Sequence, residues 1–393
     1  MHLDGLNIPS LRRNIEMKIF RCDHCGHPVF FENVQCLHCG STLAFIPEEL
    51  TMASMVSASS LSSSELLRQH PENGMSATYR MCVNHSRYRA CNFAVAALDG
   101  NALCVSCRQT RVVPDLSISA NEKRWYLIEA AKRRLFYTLA RLGLVLTDGL
   151  SEPDQGPHYE FLGNIPGTPP VMTGHNQGLI TLNIAEADDD ERARRRLALG
   201  EPYRTLLGHL RHESGHYYWD RLILAAGRVD AFRAVFGDES LDYPQALRYH
   251  YAADHHSVQW RDSFVSSYAT AHPWEDWAET WAHYLHMVDL LETAAAFHTA
   301  LVVPGGAAIA GDGVHNPFDS KVTDFDQLVS QWIPVTLMLN SMNRSLGQND
   351  AYPFALSEGA LHKLRFVHHA IHSSVNKPVI DDLRDMSQPA HSQ

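Results

Sequence analysis

The run His212-Glu213-Ser214-Gly215-His216 is where this chain could do chemistry. Positions i and i+4 of an α-helix share a face, so His212 and His216 can grip one zinc ion. Glu213 would stand beside the metal and take a proton from water whose pKa zinc lowers to about 7. A catalytic zinc takes a third protein ligand and leaves one position open. The short extension that would supply a third histidine is absent, because Trp219 and Leu222 occupy its places. The third ligand must therefore come from later in the chain.

The candidate segment is His272 to His283, H-P-W-E-D-W-A-E-T-W-A-H. Pro273 suits the first turn of a helix. Glu275 and Glu279 are four residues apart and face the same way. Trp277, Trp281 and Leu285 are poorly explained as surface residues and are expected to pack this helix on the one bearing His212. Carboxylates on an apolar face are expensive unless paired or metal-bound. Glu275 is the expected third ligand and Glu279 the partner of a ligand histidine, with the reverse assignment open. Tyr268, seven residues before Glu275, could donate its hydroxyl to a developing oxyanion; a core tyrosine is the competing reading. His209, His283 and His286 are expected to pack or support rather than ligate.

All eight cysteines lie before residue 108. Cys22-x2-Cys25 and Cys36-x2-Cys39 bring four thiolates within reach of one tetrahedral ion. Gly26 and Gly40 follow the second cysteine of each pair, where a tight turn needs positive φ. Cys82, Cys91 and Cys104-x2-Cys107 form a less regular second quartet, in which His85 could replace one cysteine. Both sites read as structural, giving an expected content of one catalytic and two structural zinc ions.

These residues need elements to hold them. Ser119 and Glu122 have capping-box spacing, and Trp125 to Leu142 follow at helical periodicity up to Gly143. Leu179 to Ile184 reads as a strand, Glu186 to Leu199 as a charged helix, and Arg204 to Leu224 and Trp274 to Phe297 as long helices. Asp326 to Leu346 reads as a helix with Pro334 inside it. A Pro/Gly-rich loop is expected over 149–178 and a Gly/Ala-rich one over 304–313.

The chain has 393 residues, 33 Lys+Arg against 44 Asp+Glu, and a formal net charge of −11. That balance argues against nucleic acid as the main partner. A local basic excess, Arg80, Arg87, Arg89, Arg108 and Arg111, has few aromatics interleaved. No apolar run is long enough to span a bilayer. The first residues lack the apolar core of a secretory signal. A cytoplasmic location is expected, where cysteines are ligands more often than disulfides.

The cysteine knuckles, "GLITLNIAEADD", "GEPYRTLLGHLRHESGHYYWDRL" and "HPWEDWAETWAHYLH" resemble the bacterial zinc-binding metallopeptidases that carry an N-terminal zinc ribbon. The E-D-W-A-E stretch also resembles the second-helix motif of lethal-factor-like gluzincins. There the first glutamate is the third ligand and a tyrosine seven residues earlier assists catalysis; on this chain that implies Glu275 and Tyr268. The resemblance implies hydrolysis of peptide or protein substrates. The expected fold is α+β, a mainly helical zincin-like domain with a small sheet over 116–372. Ahead of it come a zinc ribbon over 18–50, a Ser-rich linker over 51–78 and a second cysteine module over 79–115. A flexible tail is expected over 373–393. Leu179–Ile184 is expected to line the cleft, where an extended substrate could pair with its edge. A non-peptide amide substrate and a purely structural, non-enzymatic role are the competing readings.

Overall fold

The computed structural model describes residues 19–57, 65–69, 76–145, 156–199, 205–252, 259–302, 313–319 and 324–375. Each cysteine knuckle is a turn between short strands. β1 (Ile19–Arg21) and β2 (Pro28–Phe30) pair antiparallel around the first. β3 (Thr42–Ile46) then pairs antiparallel with β4 (Thr51–Met55). β5 (Glu65–Gln69), β6 (Ser76–Met81) and β7 (Ala94–Ala96) make a three-stranded antiparallel sheet, with the short helix α1 (Val83–Tyr88) after β6. The described residues of the expected linker over 51–78 are thus largely strand. Met52, Ala53 and Met55 are buried, so the segment carries the apolar residues that a connector lacks. Residues 58–64 and 70–75 lie outside the described residues.

β8 (Thr110–Val112) runs parallel to β9 (His158–Leu162). β9 runs parallel to β11 (Leu179–Asn183), and β10 (Gly174–Asn176) pairs antiparallel with β11 on its other side. The strand expected at 179–184 is present, but both its edges are taken. Among the described strands, β10 holds the outer edge instead. Gln177 and Gly178 supply the tight turn from β10 to β11, at φ +47° and +84°.

The helix α2 (Ser119–Arg141) is the hub. Its N-cap is Ile118 and no side chain caps it, so the expected box from Ser119 does not form. Asn121 Nδ2 instead donates to the Asp115 carbonyl at 3.0 Å. Gly143, at φ +72°, ends the helix as expected. The ribbons dock on α2 through edge-to-face ring contacts: Phe31 lies 5.8 Å and Phe45 6.0 Å from Tyr137, and Phe93 5.8 Å from Phe136. Arg133, also on α2, donates to the Ala90 carbonyl at 2.7 Å, next to Cys91 of the second quartet. One continuous apolar core therefore runs from Phe20 to Ile371.

α3 (Asp189–Leu199) starts three residues later than expected, because Ile184–Ala187 forms a 3-10 turn capped by Asn183. α4 (Leu206–Trp219) is capped by Thr205 Oγ1, which accepts from Gly208 N at 2.9 Å, and runs on into a π-helical turn over Asp220–Leu224. Two shorter helices, α5 (Val229–Phe236) and α6 (Tyr243–Ala252), follow. α7 (Pro273–Ala296) begins at Pro273, with the His272 side chain accepting from Trp274 N. α8 (Phe325–Ser345) and α9 (Glu358–Val375) close the domain. The fold is α+β. No helix among the described residues is long and apolar enough to cross a membrane. Of the loop expected over 304–313 only Gly313 is described, and of the tail expected over 373–393 residues 373–375 belong to α9; the rest of both lies outside the described residues.

Candidate metal centre

α4 and α7 cross at Gly215. A Cβ there would meet the Ala278 Cα at 2.9 Å and the Trp281 Cδ1 at 3.1 Å, so only glycine lets the two backbones come this close. Both tryptophans are fully buried and lock the crossing: Trp277 Nε1 donates to the Gly215 carbonyl at 2.8 Å and Trp281 Nε1 to Ser214 Oγ at 3.1 Å. This is the packing expected from the sequence.

The crossing sets side chains from one helix against those of the other. His212 Nε2 lies 3.0 Å from Glu275 Oε2, and His216 Nε2 lies 3.6 Å from Glu275 Oε1. His212, His216 and Glu275 each offer one ligand atom within 4.8 Å of the others. Ligands held 2.0–2.1 Å from a tetrahedral centre are about 3.3 Å apart, between these two separations. Glu275 Oε2 is buried and has no hydrogen-bond partner. A buried carboxylate oxygen without a hydrogen bond, beside the His212 ring and with His216 against the other oxygen, is what a cation would satisfy, and two nitrogens with one carboxylate are a donor set zinc takes. The residues fit the ion.

Glu279 is committed elsewhere. Its Oε1 lies 2.7 Å from His212 Nδ1, and its Oε2 accepts from Ser266 Oγ at 2.6 Å. His212 therefore faces Glu275 with one ring nitrogen and Glu279 with the other. Burial pushes His212 towards its neutral form, but Glu275 and Glu279 outweigh it and raise its pKa well above the usual value. Glu275 is pushed up by burial, yet His216, His212 and Tyr243 hold it well below the carboxylate range.

Glu213 is buried beside this cluster. Burial alone would raise its pKa; the His209 contact and the charges of His212 and His216 bring it below the ordinary value. Tyr268 sits over the same cluster, its ring 5.9 Å from that of His212. Burial, followed by the charge of Glu275, pushes its hydroxyl far up, so it stays a donor.

Other nearby groups carried no signal in the sequence. Tyr243, the first residue of α6, donates to Glu275 Oε1 at 2.6 Å. It comes from a helix with no recognisable motif. His175 on β10 stacks 6.1 Å from His216, and its Nε2 accepts from Gly178 N at 3.0 Å. Glu186, on the 3-10 turn, lies 2.6 Å from His209 Nδ1.

The cysteines form two further clusters, Cys22, Cys25, Cys36 and Cys39, and Cys82, Cys91, Cys104 and Cys107. Sulfurs 2.3 Å from a tetrahedral zinc are about 3.8 Å apart. The Cys22–Cys39 distance is 3.8 Å, Cys25–Cys36 3.7 Å and Cys91–Cys104 3.7 Å. His85 takes no cysteine's place; its Nδ1 faces the Cys91 carbonyl at 2.8 Å.

No solved structure matches the chain. It is 38% identical over 381 residues to uncharacterised proteins of Mycobacterium bovis and Mycobacterium tuberculosis, covering 96% of this chain and 99% of theirs. A zinc-ribbon domain model matches residues 19–118, spanning both quartets. The model of the family described as "Putative zinc-binding metallo-peptidase" matches residues 121–370, well over half the chain. The chain belongs to that zinc-binding metallopeptidase family, behind an N-terminal zinc ribbon.

Proposed function

We propose that this protein is a zincin-like, gluzincin-type peptidase that hydrolyses peptide bonds in peptide or protein substrates. The observation that carries the reading is the convergence of His212, His216 and Glu275, with Glu213 beside them and Glu279 behind His212. His212, His216 and Glu275 would hold one zinc ion, and the two cysteine quartets one structural zinc each. The bound zinc supplies Lewis-acid polarisation and an acidified water.

The protein's own groups do the rest. Glu279 fixes the ring of His212, and Tyr243 fixes the carboxylate of Glu275. Glu213 takes the proton as water oxygen attacks the scissile carbonyl carbon, and returns it to the departing amine nitrogen as the C–N bond breaks. Tyr268 donates its hydroxyl to the carbonyl oxygen as negative charge gathers there.

A cleavage screen of a proteome digest comparing wild type with Glu213→Gln tests this. The expected result is a set of new termini that disappears in the variant while bound zinc is unchanged. Equal cleavage by both proteins would contradict the assignment of Glu213. Cleavage of non-peptide amides alone would keep the water chemistry and move the substrate.

A further inference from the structure

We propose that His209 is a positioning residue that clamps the Glu213 carboxylate, and that Glu186 anchors the clamp from behind. The proposal rests on the hydrolase reading above and deepens it.

His209 stands one helical turn before Glu213 on α4, so the two side chains share a face. Its Nε2 lies 3.2 Å from Glu213 Oε1, and its Nδ1 lies 2.6 Å from Glu186 Oε2. Carboxylates only accept, so an imidazole with both nitrogens aimed at carboxylate oxygens donates twice.

The anchor is itself held. Glu186 is buried, and its Oε1 accepts from Thr173 Oγ1 at 2.8 Å. The 3-10 turn that carries it is tied to the sheet by Asn183. The side chain of Asn183 accepts from Ala185 N at 3.0 Å and donates to the Val171 carbonyl at 3.0 Å. Position is thus passed from the sheet through Glu186 and His209 to the base on α4. A histidine needed only for packing would be satisfied by one carboxylate. This one spends its second nitrogen on the group proposed to move the proton. A glutamate has three side-chain torsions, and misplacing a reacting group by about 1 Å can cost on the order of a hundredfold in rate.

Two readouts test the clamp. In steady-state kinetics with a substrate from the screen, His209→Phe should lower kcat about a hundredfold with KM near wild type and all zinc retained. His209→Gln keeps an N–H that reaches Glu213 and should recover most of that loss. Unchanged kcat in His209→Phe, loss of zinc from the His212 site, or equal losses in both variants would overturn the proposal. The second readout does not need activity. Ring-labelled histidine NMR of the zinc-loaded protein, assigned by difference against His209→Phe, should show two protonated, hydrogen-bonded ring nitrogens for His209. The Nε2 proton should shift in Glu213→Gln and the Nδ1 proton in Glu186→Gln; a single protonated nitrogen would sink the clamp. Absence of Glu213-dependent hydrolysis would instead sink the hydrolase reading, leaving the ring pattern to decide the contact.

Discussion

Tyr268 and Glu279 show how far a residue's role depends on what lies on its other side. Glu279 has both oxygens engaged, by His212 Nδ1 and Ser266 Oγ, whereas Glu275 keeps a buried oxygen without a hydrogen bond. Glu279→Gln should therefore weaken zinc at the His212 site about 10–100-fold, as partners of ligand histidines do, without abolishing it. Competition with a chelator of known affinity reads this; complete loss of the ion would make Glu279 a ligand. Tyr268→Phe should lower kcat about 10²–10³-fold with zinc content unchanged, measured by steady-state kinetics and metal analysis.

A third residue, His283, gives a pH prediction. Burial pushes it from 6.5 down to about 4. Between those values the unfolded chain binds a proton that the folded chain refuses. Its contribution is complete above pH 6.5 and is lost as pH falls towards 4. The loss is about 3 kcal/mol. Denaturant midpoints for wild type and His283→Gln should converge as the buffer is acidified over this range. A constant gap between them would show that the ring carries no such burden.

At the scale of elements, the site is a crossing of two helices, and Gly215 sets its depth. Gly215→Ala places a methyl 2.9 Å from the Ala278 Cα. Overpacking of that kind costs about 1–3 kcal/mol and pushes Glu275 away from the imidazoles. A lower Tm together with weaker zinc binding is expected; an unchanged zinc affinity would mean that α4 and α7 are not held by this contact. The crossing was legible in the sequence because it is local: one motif on each helix, each at a spacing of four, with tryptophans between. Legibility failed where the partner came from afar. Tyr243 and Glu186 reach the site from a surface helix and a 3-10 turn, and no spacing within either segment points at α4. The strand at 179–183 was legible from its β-branched residues, but its place inside the sheet was not. That depends on β10, a three-residue strand inside a Pro/Gly-rich stretch.

At the scale of the molecule, the sequence suggested separable modules joined by a serine-rich linker, and composition misled. The linker's first residues intersperse Ser54 and Ser57 among apolar ones, and there β4 is a paired strand that buries Met52, Ala53 and Met55. β8, just past the last cysteine, joins the sheet of the helical domain. Thr110 at its start donates to Glu129, whose other oxygen lies 2.9 Å from the fully buried Lys132. With one core running through both regions, the ribbons should unfold with the rest. Cys104→Ser should remove one zinc and lower the Tm of a single calorimetric transition. Two independent transitions, with the second unmoved, would show that the ribbon is a detachable module.

Everything rests on a metal ion held between α4 and α7. Anomalous diffraction at the zinc absorption edge tests that most directly. Three peaks per chain are expected, one within each cysteine quartet and a third about 2.0–2.2 Å from His212 Nε2, His216 Nε2 and a Glu275 oxygen, with no fourth protein ligand. No peak at the crossing, or one whose fourth position is filled by a side chain of the protein, would contradict it.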